Sequence, residues 1–414
     1  MTTLVGALSL AAGCSPGTAP APTAPPVATA TTDGPRASAT TTSATPTTPT
    51  PAASTTTTVD VYDHTGAGDL SAEALRAKRL VYVPNQLANT VQVIDPTTYR
   101  VVRTFPVSQS PEHVVPSHDL RMLWVNSDAG NALTPIDPRT GKAGRPVAVA
   151  DPYNLYFTPD GRYALVMAER LRRIDVRDAQ TMKLVRSVPI PCAGINHADY
   201  TADLSRLLVS CEFSGKFAVL DGEATRVISM INLNTIATPG ATPRAEALAM
   251  GGPAQGLAKG ANAMPQDVRL SPDGRWLLSA DMLRNGVWVI DAHTMTYSRF
   301  IPTGKGAHGL YPSRDASRIY VSNRMEGSIS VVDATTLTPV TKWLIPGGGS
   351  PDMGGVTADG SELWLSGRYN SEVYVFDTRT GKVTHRIPVR PGPHGLLVWP
   401  QPGRFSLGHT GNMR

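Results

Sequence analysis

The sequence predicts an all-β protein, a seven-bladed β-propeller of four-stranded blades preceded by a disordered Pro/Thr-rich tail. Three observations predict it. An apolar alternating strand ending in Asp recurs at Asp95, Asp137, Asp178, Asp221, Asp291, Asp333 and Asp377, with intervals of 42, 41, 43, 70, 42 and 44. A second aspartate keeps the same period at Asp119, Asp160, Asp203, Asp273, Asp315 and Asp359, each before an apolar strand. Ahead of the first repeat the composition shifts to Pro, Thr, Ala and Ser.

Residues 1–14 are small and apolar and end in Ala11-Ala12-Gly13-Cys14. Small residues before a cysteine resemble a bacterial lipoprotein cleavage box, and the resemblance implies that Cys14 carries lipid. Residues 15–58 contain no aromatic residue and one large aliphatic, Val27. Such a segment cannot bury enough apolar surface to offset its ordering entropy, so it reads as a linker. Residues 59–414 then form the propeller.

Within each repeat the strand-ending Asp is usually followed by Thr three residues later, as at Asp95/Thr98 and Asp291/Thr294. Their oxygens suit the backbone of a tight turn, so each pair marks a hairpin. The second marker includes Asp160-Gly161, Asp273-Gly274 and Asp359-Gly360, and Asp-Gly between alternating runs is a strong hairpin signal. Two hairpins per period of about 42 residues give four strands, the content of one blade. The 70-residue interval holds an insertion near 234–262, rich in Ala, Gly and Pro, which reads as a long loop. Ring closure falls to Gly395–Val398, which supplies the inner strand of the blade that begins at Leu80.

Leu80–Asn85 reads LVYVPN and Ile319–Asn323 reads IYVSN, each followed by a short polar loop and a strand ending in Asp. Over about residues 80–400 the chain resembles the YVTN-repeat (YncE-like) propellers, which are largely periplasmic or surface proteins. The d1-haem domain of nitrite reductase, the copper-bearing propeller of nitrous oxide reductase and lactonases of the phosphogluconolactonase type are similar. One fold hosts many activities, so function has to come from a site.

The inner strands of a propeller begin at one mouth of its channel. Six residues before the turn aspartates stand His113, Asn154, His197, Asp267 and Met353; His308 stands seven before Asp315, and Pro393-His394-Gly395 mirrors Ala307-His308-Gly309. Four of seven equivalent rungs therefore carry His in a chain with 9. These imidazoles either bond neighbouring blades or form a ligand ring for Cu, Zn or Fe made of His113, His197, His308 and His394. Loops on the same face carry Asn85, Asn126, Asp128, Glu169, Glu212, Asp281, Asn323, Arg324, Glu326, Arg368 and Tyr369; Arg324 and Arg368 suit a small polar or anionic ligand. His64, His118, His293, His385 and His409 fall in turns or tails and read as solvent-exposed. Cys192 and Cys211 fall in one blade and are expected to pair in an oxidising compartment.

The net charge of +5 with no Lys/Arg run excludes a phosphate-backbone tracker, so no nucleic-acid partner is expected. No apolar run reaches the length of a membrane span. Phosphate loop, nucleophile elbow, HExxH and CxxCH are absent. The reading placed first is a monomeric, non-enzymatic binding or scaffold protein of the bacterial cell envelope. It is secreted or attached through the lipid anchor, with a small polar ligand or an envelope protein at its channel mouth. The alternatives are a copper-type redox protein using the His ring, and a lactonase-like hydrolase pairing Glu212 or Glu326 with a His.

Overall fold

The computed structural model describes residues 61–249 and 256–414. The signal segment at 1–14, its Cys14 and the linker at 15–58 lie outside the described residues.

Seven antiparallel sheets succeed one another along the chain. The blade closest to the N-terminus pairs Leu80–Asn85, Thr90–Asp95 and Arg100–Pro106 with Leu397–Trp399, which becomes its innermost strand, Leu80 opposite Trp399. The closing strand thus lies at the position expected, shifted by one to two residues. The other six blades open on the inner strands Pro111–Pro116, Pro152–Phe157, Ile195–Tyr200, Pro265–Leu270, Ala307–Pro312 and Pro351–Val356. In the second blade the outer strand splits into Lys142–Ala143 and Val147–Ala148. Pro146 lies in the gap, and it has no N–H to give the ladder.

Burial falls from the axis outward. Leu80–Asn85 is wholly buried, whereas Arg100–Pro106 alternates between exposed and half-buried. Inner positions are therefore buried on both faces, and the outer edges carry charge that discourages edge pairing. The cores lie between blades: Leu165, Ile174 and Val176 pack with Tyr200, Leu207 and Leu220 of the next blade.

Both turn markers cap themselves. Thr98 Oγ donates to Asp95 at 3.1 Å, and Thr294 Oγ donates to Asp291 at 3.0 Å. At the other turn a Ser or Thr two residues upstream donates to the aspartate, as Thr158 does to Asp160 at 2.7 Å and Thr357 to Asp359 at 2.6 Å. The glycines of Asp160-Gly161 and Asp273-Gly274 have φ of 69° and 70°, the left-handed region that the turn requires.

The described residues of the insertion, 234–249 and 256–262, include regular structure. The insertion holds a 3-10 turn at Leu233–Thr235 and a short helix at Arg244–Ala249, whose Ala247 packs on Met264, Met282 and Leu283. Among the described residues no helix is long and apolar enough to cross a membrane.

Candidate functional site: a buried histidine cluster in the channel

The inner strands do not pair evenly at their upper ends. Register breaks fall at Glu112, Tyr153, Asn196–His197, Gln266–Asp267, His308–Gly309 and Asp352–Met353. Bulges of this kind re-aim side chains and are common beside functional sites. Serines on the second strands satisfy the amides so released: His197 N–H donates to Ser210 Oγ at 3.2 Å, Gly309 N–H to Ser322 Oγ at 2.8 Å and Met353 N–H to Ser366 Oγ at 3.3 Å.

Five imidazoles meet in the channel. The ring of His113 lies 5.5 Å from that of His197, 4.8 Å from His394 and 5.2 Å from His409; His197 and His409 are 4.9 Å apart, and His308 is 6.1 Å from His394. All five are buried. Two groups have ligand atoms within 4.8 Å of one another, His113/His197/His409 and His308/Asp352/His394. Each has the donor set of a metal site.

Their Nδ1 atoms are held from outside. Nδ1 of His113 donates to the Tyr153 carbonyl at 3.0 Å, and Nδ1 of His394 donates to Glu112 at 2.7 Å. Asn154 Nδ2 donates toward Nδ1 of His197 at 3.3 Å and of His409 at 3.0 Å. The Nε2 atoms of His113, His197, His394 and His409 are buried without a hydrogen-bond partner. Four unpartnered nitrogens in one core are costly unless a ligand takes them up. Burial pushes His113 down to about 3 and His308 to about 4, and holds His197, His394 and His409 well below the usual imidazole range. The rings are therefore neutral at physiological pH, the form that binds metal.

The two groups differ in charge. Arg324, buried, donates from Nε to Asp352 Oδ1 at 2.9 Å and contacts His308 Nε2. Asp352 is thereby held well below the usual carboxylate range despite its burial. The second group has a cation in direct contact with its His and Asp, whereas the buried Arg269 stands behind Asp267, 3.5 Å from it, on the side of the three-imidazole group. Above them, burial and then repulsion from Glu212 push Glu169 well above the usual carboxylate range. Burial raises Glu212 to about 7 and, with repulsion from Glu112, Asp128 to about 6. Arg368 donates to Gln86 at 2.9 Å and stands 3.7 Å from Glu112.

Of the residues singled out from sequence, His113, Asn154, His197, His308 and His394 meet in this cluster. Asp267 stands 3.6 Å from His409 Nε2 and receives the Leu310 N–H at 2.9 Å. In the seventh blade the bulge brings Asp352, one residue before Met353, against His308 and His394. Counting six back from the turn could not allow for that bulge; counting seven, as for His308, would have found it. His409 corrects a second expectation: it is buried in the channel, because the segment after the closing strand turns back into the ring. His118 is half-buried and stacks on Phe405 with centroids 4.9 Å apart, and His385 stacks on Tyr99 at 3.5 Å; His64 and His293 are exposed. Cys192 and Cys211 form a disulfide with sulfurs 2.10 Å apart.

Known proteins resemble the chain in part. It is 28% identical over 149 residues to the dihydro-haem d1 dehydrogenase of Pseudomonas aeruginosa, a match spanning 34% of this chain and 30% of that protein, so less than a third of the relative's length. Among solved structures, Kuenenia stuttgartiensis hydrazine synthase superposes with a TM-score of 0.57 at 16% identity, over 76% of this chain and 96% of that one. A protein of unknown function from Desulfotomaculum acetoxidans gives 0.59 at 16%, over 78% and 99%. A dihydro-haem d1 dehydrogenase in complex with DHE gives 0.54 at 16%, over 77% and 75%. At that identity the likeness concerns the fold alone.

The placement of a non-enzymatic role first does not survive. The two His-rich groups in the channel and the partial identity to a dehydrogenase overturn it, and they favour the redox alternative. A profile of the YncE-like β-propeller matches residues 63–179 and 251–403, well over half the chain, on the same seven-bladed ring of sheets. The chain belongs to the YncE-like β-propeller family.

Proposed function

We propose that this protein is a metal-dependent redox enzyme of the cell envelope, with its metal in the propeller channel and a small polar substrate entering at the upper mouth. The observation that carries the reading is the set of buried Nε2 atoms of His113, His197, His394 and His409, all without a partner. Neutral imidazoles suit copper, iron or zinc, and copper or iron would supply one-electron chemistry. The three-imidazole group is the better holder, since a cation in the other group would face the Arg324 guanidinium. His394, oriented by Glu112, stands next to His113 as a further donor. Arg368, whose Nη1 has no hydrogen-bond partner among the described residues, would orient an anionic group of the substrate. The carboxyls of Glu212 and Asp128, raised toward neutrality, could hold or release a proton there.

The Cys192–Cys211 disulfide supports an oxidising compartment, and YncE-like propellers are typically extracytoplasmic. Attachment through Cys14 and a monomeric state belong to the same proposal. The test is elemental analysis and electron paramagnetic resonance of the full chain, made without a His tag in an oxidising compartment. One or more equivalents of copper or iron that cycle reversibly, and are lost on changing His113 and His197 to Ala, would support the reading. A protein that stays metal-free after reconstitution, or takes only zinc, would overturn it.

A further inference from the structure

The ring is closed once Leu397–Trp399 has paired with Leu80–Asn85, yet the chain continues into the channel. Residues 403–414 form a hairpin there. Leu407 N–H donates to the Asn412 carbonyl at 2.8 Å, and Ser406 bridges to Met413. The hairpin docks on the third and fourth blades. Phe157 N–H donates to Leu407 O at 3.1 Å, His409 N–H to Leu155 O at 2.9 Å, Asn412 Nδ2 to Ala198 O at 3.2 Å, and Arg414 Nη2 to Asp199 at 2.7 Å. Ser406, Leu407 and His409 are wholly buried.

Gly408 sets the depth of insertion. Its φ is +114°, and a Cβ there would stand 2.4 Å from Leu155 O and 2.5 Å from Tyr156 Cα. Only glycine passes this point, and the next residue is His409. The hairpin thus carries one imidazole to the side of His113 and His197 and leaves its Nε2 buried without a partner. An apolar side chain would fill the same space without that cost.

We propose that residues 403–414 are a ligand-donating plug: His409 supplies the third nitrogen to a metal held by His113 and His197, so the site is complete only when the plug is seated. The inference rests on the metal-centred reading above and adds a reciprocal coupling. If the metal binds the seated plug more tightly than the withdrawn one, the metal must favour seating by the same factor.

Hydrogen exchange of the full chain, metal-free and titrated with Cu(II) or Co(II), tests both halves. In the parent, metal should slow exchange of residues 403–414 by at least about tenfold. His409→Ala keeps the backbone bonds that seat the hairpin. It should bind metal more weakly by more than the roughly 10–100-fold that outer-shell changes cost, and metal should no longer slow exchange of its hairpin. A variant lacking residues 403–414 should show the same weakened binding. Parent and His409→Ala binding metal equally, or exchange of the hairpin unaffected by bound metal, would overturn the plug while leaving the metal reading intact. No metal bound by the parent would overturn both.

Discussion

Glu112 accepts a hydrogen bond from Nδ1 of His394 at 2.7 Å, 282 residues away in sequence. The contact fixes the tautomer that leaves Nε2 bare, 3.6 Å from Asp352 Oδ2. Carboxylate–histidine pairs of this kind raise the basicity of a metal-ligating ring. Glu112→Gln keeps the shape and removes the charge. It should lower metal affinity by about 10-fold or more, read by competition with a chelator. Unchanged affinity would remove His394 from the ligand set.

Asn154 lies between two candidate ligands. A metal on Nε2 of His197 and His409 requires a proton on each Nδ1 and an acceptor beside it, whereas the Asn154 amide donates to both and its Oδ1 is taken by the Leu155 N–H. Asn154→Asp provides a carboxylate there and should tighten metal binding, by about 10-fold on the scale of outer-shell changes. Asn154→Leu removes the opposing amide donor without supplying an acceptor, so its affinity should fall between those of the parent and Asn154→Asp. Equal affinity in all three proteins would show that Asn154 does not orient the rings.

Two sets of buried groups pull the pH dependence of the metal-free protein in opposite directions. Glu212 is raised by burial from 4.5 to about 7, so its stabilising protonation is complete below about 4.5 and lost as pH rises through about 7. Glu212→Gln should therefore be more stable than the parent at pH 8, with the advantage vanishing toward pH 4.5. His197 is pushed well below 6.5, so the unfolded chain alone takes up its proton as pH falls through that value. His197→Gln should lose less stability on acidification than the parent. Denaturant midpoints from pH 8 to 4.5 measure both.

The Cys192–Cys211 disulfide closes a loop of 19 residues beside Glu212. Loop-closure entropy predicts that Cys192→Ser with Cys211→Ser costs about 3 kcal/mol. Urea denaturation of the two proteins checks this, and an unchanged midpoint with an unchanged slope would mean that the bond does not hold the blade together.

Most of the fold was legible because its markers are local. The Asp95 carboxylate is satisfied within three residues, and so is that of Asp160. A turn that caps itself leaves the same trace in every blade, and counting the traces counts the blades. The four His rungs were legible for the same reason, since each stands at a constant offset from such a turn. The offset failed at Asp352, because a register break slides the strand by one residue without changing its composition.

The sequence by itself determined seven blades, the edge where the ring closes and a His-rich upper end to the channel. Only the tertiary structure decided that His409 joins His113 and His197, and that Arg324 pairs with Asp352 against His308 in the other group. The reason is separation along the chain. Asn154 and His409 meet across 255 residues, and Arg324 and Asp352 across a blade boundary. Such contacts arise from closing the ring and folding the last hairpin into it, and no spacing or local propensity encodes them.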